Sequence, residues 1–205
     1  MAKSIRDVYG ASLLKYGAQN EKVVVLDADV SSSTKSGVFG KEYPERFFNC
    51  GIAEYNMMGM AAGFASCGYI PVVNTFTAFL STIGALPAKA FLSYSQLNVK
   101  MAGGYSGMSD AYDGPSHHAL EDMAIMRAMP NITLLVASDE ASTDWMVKTA
   151  LEVEGPMYLR LSRDTAEDCH PEGAKFEIGK GMVCKDGKDL MREPVPGTSQ
   201  PSVFH

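Results

Sequence analysis

The carboxylate of Glu54 heads a segment with almost nothing else polar in it. Gly51-Ile52-Ala53-Glu54 runs directly into Tyr55-Asn56-Met57-Met58-Gly59-Met60-Ala61-Ala62-Gly63-Phe64. A helix that is apolar all round is usually buried, and carboxylates are seldom buried without a partner or a task. Two readings of Glu54 stand. It is a helix-start carboxylate favoured by the macrodipole, or it is a buried acid whose carboxyl hydrogen-bonds a ligand nitrogen.

A second constellation is Asp113-Gly114-Pro115-Ser116-His117-His118, which closes a Gly/Ser-rich loop just before a predicted helix. Gly103, Gly104, Gly107 and Gly114 suit a backbone that bends tightly near a ligand. His117 and His118 are either surface histidines or a pair of imidazoles able to handle protons and hydroxyl groups. A metal reading built on His118, Glu121 and Asp122 lacks any recognisable ligand spacing, and no metal site is expected in this chain. Phe76 and Phe79 are core residues or a ligand wall, and spacing does not separate the two. Arg163, in Leu161-Ser162-Arg163, is an exposed strand-end cation or a clamp for a carboxylate or phosphate, and Arg160 lies close by. No dinucleotide, Walker A or nucleophile-elbow pattern is present, which removes the commonest nucleotide and hydrolase readings.

These residues need elements to position them. Ser4 to Tyr16 carries Ile5, Val8, Tyr9, Leu13 and Tyr16 at helical spacing, and Ser4 with Asp7 resembles a capping box. Short apolar runs at Val23–Leu26, Ile70–Val73, Leu97–Met101, Ile132–Val136 and Met157–Leu161 read as strands. Helices are expected from Glu54 to about Ser66, over Ala78–Ser93 with a break at Pro87, over Leu120–Met129, and over Asp139–Val153 capped by Ser138. The Ser31-Ser32-Ser33-Thr34 stretch reads as a loop. Continuously apolar strands alternating with helices predict an α/β fold, a parallel sheet in three layers with helices on both faces. Ligands in such sheets sit at the carboxyl ends of the strands. Asp27, Asp29, Asn74, Phe76, the loop from Gly103 to His118, Ser138 and Arg163 all follow strand ends and should share one rim.

The bulk composition sets the outer bounds. At 205 residues, with 46% apolar and 20% charged residues, the chain suits one globular domain with a short appendage. A net charge of -6 with no Lys/Arg cluster argues against a nucleic-acid partner. Cys50, Cys67, Cys169 and Cys184 are scattered and read as free thiols in a reducing compartment. With no signal core and no apolar run long enough to span a membrane, the expectation is a cytoplasmic protein without a membrane partner.

In their order and spacing these segments resemble the pyrimidine-binding domain of the transketolase family of thiamine-diphosphate enzymes. Arg46-Phe47 leading to Gly51-Ile52-Ala53-Glu54, then Asp113-Gly114-Pro115-Ser116-His117, then Glu121-Asp122 leading to Arg127-Ala128-Met129-Pro130-Asn131 carry the likeness. It runs from about Lys3 to Gly181. The resemblance implies that Glu54 bonds the N1' nitrogen of the aminopyrimidine, favouring the tautomer whose 4' nitrogen removes the C2 proton of the thiazolium, and that the cofactor carries a two-carbon unit from a ketose to an aldose. It further implies that Phe76 and Phe79 wall the pyrimidine with Asp29 and Ile52 nearby. Asp113 and His117 would contact substrate hydroxyls, His117 taking a catalytic part, and Ser33 and Arg163 would hold the sugar phosphate.

The likeness has gaps. A third aromatic of the pyrimidine wall falls at Thr82, and a loop histidine of the family falls near Tyr105. No Gly-Asp-Gly with a downstream Asn is present to hold a metal-bound diphosphate. The resemblance therefore implies an N-terminal partner subunit carrying the thiamine diphosphate and Mg2+ site, a homodimer or heterotetramer, and no activity for this chain alone. Residues 1–175 would form the pyrimidine-binding domain. Residues 176–205 would be the remnant of a further domain's start, ending in a loosely held Pro-rich tail. Two alternatives stay open: a non-catalytic assembly or regulatory module that kept the fold, and a related enzyme such as a deoxyxylulose-phosphate synthase.

Overall fold

A computed structural model describes residues 3–171 and 173–180 of the chain. Its centre is a six-stranded parallel sheet in the order β3-β2-β4-β5-β7-β6. The strands are β2 (Val23–Asp27), β3 (Phe47–Asn49), β4 (Ile70–Phe76), β5 (Lys100–Gly104), β6 (Thr133–Val136) and β7 (Met157–Arg160). A separate two-stranded antiparallel ribbon pairs β1 (Lys3–Ser4) with β8 (Thr165–Ala166). It ties the start of the described chain to the segment that follows Arg163.

Alternation along the strands sends side chains to both faces, and both faces are buried. Val24, Leu26, Val73, Met101, Leu134 and Tyr158 pack under α4 (Glu54–Ser66), α5 (Thr77–Thr82), α6 (Ala85–Pro87) and α7 (Asp122–Arg127). Val23, Val25, Val72, Ala102, Leu135 and Leu159 pack under α1 (Ile5–Gly17), α3 (Gly37–Glu42) and α8 (Glu140–Glu152). This is the expected three-layer α/β arrangement, and it explains why the strands read as unbroken apolar runs. From β2 the chain steps to β3 on one side, then crosses back over β2 to β4 on the other. The reversal opens a crevice at the carboxyl ends of β2 and β4, where open sheets place their ligands.

Several local expectations are corrected. Ser4 does precede α1, but its Oγ donates to the Arg163 carbonyl at 3.0 Å rather than capping the helix. The cap of α8 is Asp139, not Ser138: Asp139 accepts from the Ser142 backbone, and Ser142 Oγ accepts from the Asp139 N–H. The stretch around Ser31–Ser33 is a short helix, α2 (Ser31–Thr34). Beyond Pro87 the chain widens into a π-helical turn over Ala88–Ser93. Most consequential, α4 is not buried all round. Glu54, Met57, Met58, Ala61 and Ala62 face the core, while Tyr55 is 50% exposed and Asn56 and Gly63 are exposed beside it.

No helix of the described residues is long and apolar enough to cross a membrane. Cys50 and Cys67 are free thiols. Cys184 and the tail expected to be loosely held lie outside the described residues. Of the appendage expected from residue 176, only 176–180 are described, and there Phe176 packs against Trp145 at 5.4 Å and His170 at 4.7 Å.

Candidate active site

Glu54 is 4% exposed and opens α4 at the crevice between β2 and β4. Gly51 takes a positive φ of 71° and Ala53 N–H donates to the Gly51 carbonyl at 2.7 Å, so the chain turns sharply into the helix. That turn leaves Ile52 83% exposed on the rim. The Glu54 Oε1 accepts from the Thr75 hydroxyl at 3.1 Å, which fixes the carboxyl against the end of β4. Among the described residues Oε2 receives no hydrogen bond, so one oxygen is oriented and the other is available.

One residue beyond Thr75, Phe76 ends β4 and begins an aromatic cluster. Its ring lies 6.0 Å from Phe79, 4.7 Å from Tyr105 and 5.6 Å from His117, and His117 meets Phe79 edge-on at 5.1 Å. Phe76 is buried and Phe79 partly so. The His117 ring comes from the 3₁₀ turn Pro115–His117, with Ser116 Oγ 3.0 Å from its Nδ1. The structure therefore gathers Phe76, Phe79 and His117 at one place. Thr82 is exposed at the far end of α5, and its hydroxyl donates to the Ala78 carbonyl at 2.6 Å.

Asp27, fully buried at the end of β2, organises the next rim segment. It accepts from Val30 N–H at 2.6 Å, Thr34 Oγ1 at 2.9 Å and Ser36 Oγ at 2.7 Å. Burial pushes its carboxyl up, and these three donors act against that shift. They hold the turn through Asp29, which sits at φ 65° as Asp tolerates better than most residues, and they place Ser33 on α2. Asp29 is exposed and accepts from Asn49 Nδ2 at 2.8 Å.

The remaining predicted residues cluster at the Tyr105 side of the rim. Arg6, in the first turn of α1, donates to the Ser33 carbonyl at 3.5 Å and to the Tyr105 hydroxyl. Arg163 donates to Asp110 at 3.1 Å, and its guanidinium lies 5.3 Å from the Tyr105 ring centre and 5.0 Å from that of Tyr112. Arg6 lies over the same Tyr105 ring at 5.6 Å. Asp113 is exposed and close enough to Asp110 to raise its carboxyl. Arg6 and Asp110 were not singled out from sequence. Arg6 reads there as the polar side of an amphipathic helix, and only the β1–β8 ribbon reveals that α1 begins beside Arg163.

The structure also separates Arg163 from Arg160. Arg160 grips Asp122 through Nε at 2.7 Å and Nη2 at 3.2 Å, and the Tyr158 hydroxyl adds a third bond to Asp122 at 2.8 Å. Asp122 is thereby fully buried and engaged, so it is no metal ligand in company with His118 and Glu121. His118 Nε2 is buried with no hydrogen-bond partner among the described residues.

The site is thus a crevice with an oriented carboxyl at one end, an aromatic wall and imidazole in the middle, and two guanidiniums at the other end. It can receive a flat nitrogenous ring and an anionic chain.

Comparison with known proteins bears on the family and the fold. Residues 1–167 match the family model described as transketolase, pyrimidine binding domain. A Methanocaldococcus jannaschii protein, provisionally named a transketolase C-terminal section, is 43% identical over 190 residues, covering 92% of this chain and 60% of its own length. The 6-deoxy-6-sulfo-D-fructose transketolase subunit SqwH of Clostridium sp. is 35% identical over 186 residues, covering 91% of this chain and 58% of that subunit. A solved split-gene transketolase, described as an inactive β4 tetramer, superposes with a TM-score of 0.80 at 43% identity, covering 92% of this chain and 61% of that one. The chain thus spans about three-fifths of the length of these relatives.

Proposed function

The chain belongs to the transketolase pyrimidine-binding domain family, and from that premise we propose that it is the pyrimidine-binding half of a thiamine-diphosphate-dependent transketolase that moves a two-carbon ketol unit between sugars bearing a terminal anion. The observation that carries this reading is Glu54: a buried carboxyl with one oxygen held by Thr75 and the other left to a ligand, beside a phenylalanine wall. These residues fit an aminopyrimidine ring. Bound, thiamine diphosphate supplies the nucleophilic carbon that accepts the ketol unit.

The chain's own residues do the positioning. Glu54 holds a proton at a ring nitrogen, in a dry crevice where one hydrogen bond carries more weight than in water. Phe76 and Phe79 exclude water and orient the ring, with Asp29 and Ile52 on the facing rim. His117 and Asp113 meet the sugar hydroxyls, and His117 is placed to move a proton there. Ser33, Arg6 and Arg163 hold the terminal anion of the sugar.

The diphosphate and its Mg2+ belong, on this reading, to an N-terminal partner subunit. Two features support that assembly. Ile52 and Tyr55 are exposed apolar residues at the mouth of the crevice, as expected of a half-site that another surface completes. The similar split-gene chain is described as inactive in its β4 tetramer. The same self-assembly is proposed for this chain.

The test mixes the chain with a candidate subunit bearing a diphosphate site, thiamine diphosphate and Mg2+, and follows ketol transfer. Turnover should need both chains. Glu54→Gln should lower kcat at least about a hundredfold with an unchanged fold. A Glu54→Gln chain with full activity would sink the mechanism.

A further inference from the structure

The two guanidiniums at the far end of the crevice are not free cations awaiting a phosphate. Arg163 is paired with Asp110, whose side chain is only 1% exposed. The Oδ2 atom of Asp110 and the Nε atom of Arg6 are buried with no hydrogen-bond partner among the described residues. Four further groups face this pair. Asp113 and His117 come from the same loop, Tyr105 from the end of β5, and Tyr112 lies beneath Arg163. Charge counting therefore gives two guanidiniums, Arg6 and Arg163, against two carboxylates, Asp110 and Asp113. The anion end is close to neutral before a ligand arrives.

Near-neutrality has a consequence for the ligand. A dianion entering this end must approach the buried Asp110 carboxylate, and like charges a few ångströms apart in a desolvated site repel strongly. A monoanion meets half that repulsion and half the attraction to Arg6 and Arg163, so near-neutrality leaves desolvation to decide, and that cost rises steeply with the ligand's charge. Given that Arg163 meets the sugar's terminal group, as proposed above, we infer that the site is built for a sugar ending in a singly charged group such as a sulfonate, and that Asp110 sets this preference over a dianionic phosphate by competing for Arg163. Asp110 is a specificity residue here and takes no part in moving the ketol unit.

Asp110→Asn is the discriminating variant, because it keeps size and removes charge. In the enzyme reconstituted with its partner subunit, thiamine diphosphate and Mg2+, kcat/KM is measured for fructose 6-phosphate and for its 6-sulfonate counterpart. The wild-type enzyme should favour the sulfonate, and Asp110→Asn should shift the ratio toward the phosphate by about tenfold or more, through KM. A wild-type preference for the phosphate overturns the inference, as does a ratio unmoved in a variant whose circular dichroism and Tm match the wild type. A reconstituted wild type that transfers no ketol unit from either sugar instead overturns the proposed function.

A second arm needs no partner. The isolated chain is titrated with methylphosphate and with methanesulfonate, following backbone amide resonances of residues 105–113. Asp110→Asn should tighten methylphosphate binding by about tenfold and methanesulfonate binding by only about threefold. Equal methylphosphate affinity in the two proteins, or none in either, counts against the assignment.

Discussion

Arg160 and Arg163 stand three residues apart and meet different fates, which their burial and partners decide. Arg160 leaves β7 toward the interior and saturates Asp122, whose side chain is fully buried. Removing one partner of such a pair strands an uncompensated charge. Arg160→Leu is expected to cost about 3 kcal/mol or more in urea unfolding. Arg163→Leu should cost clearly less, because burial and Asp113 already raise the Asp110 carboxyl, so it can take up a proton when the cation is gone. Equal losses for the two variants would refute this division. From sequence alone both arginines were candidate clamps, since a one-residue change of strand register exchanges inward and outward side chains. The identities of Glu54, Phe76 and His117 as residues to examine were legible, because a lone carboxylate in an apolar run and a Gly-rich loop ending in histidines are local signals. Arg6 and Asp110 were not, because their meaning comes from contacts 99 and 53 residues away.

At the scale of elements, most strands and helices could be read from apolar periodicity, and the misreadings have physical causes. The three-residue edge strand β3 is too short to show a period, and α2 and α3 are built from Ser and Gly that favour loops elsewhere. The cap of α8 was placed one residue early because Ser138 and Asp139 are both good capping types. The structure gives Asp139 a larger role. It accepts from Ser142 N–H at 2.8 Å, Cys169 N–H at 3.2 Å, His170 N–H at 3.1 Å and His170 Nδ1 at 2.7 Å, joining α8 to the segment after β8. Burial alone would raise its carboxyl, but the bonds from Ser142 and His170 outweigh burial and hold it well below the usual carboxylate range. The folded protein thus binds this proton less readily than the unfolded chain does. The stabilisation is complete above the unfolded value of about 3.9 and is lost as pH falls below it. Asp139→Asn should cost about 2 kcal/mol at pH 6, and the gap from wild type should close substantially by pH 3. A gap of constant size across that range in chemical denaturation would contradict the account.

For the whole molecule, the sequence carried the three-layer fold but misjudged how α4 sits in it. Its segment is apolar enough to predict full burial, yet one face carries Tyr55, Asn56, Gly59 and Gly63 away from the core. A Cβ added at Gly59 or Gly63 would meet nothing within 4 Å among the described residues, so none of them requires glycine at either position. Neither has a positive φ. Glycine inside an exposed helix costs about 1 kcal/mol relative to alanine. An intermolecular contact needing close backbone approach would account for it, in line with the proposed assembly of this half-site with itself or a partner subunit. The prediction has two parts of opposite sign. Gly63→Ala should stabilise the chain toward unfolding by roughly 0.5–1 kcal/mol when measured at a dilution where it is monomeric. Gly63→Phe should keep the fold, as judged by circular dichroism, yet lower the mass seen by analytical ultracentrifugation and abolish the gain in ketol transfer on adding the partner. A Gly63→Phe chain that assembles and turns over normally would show that this face of α4 is simply solvated, and the crevice would then have to be completed from another side.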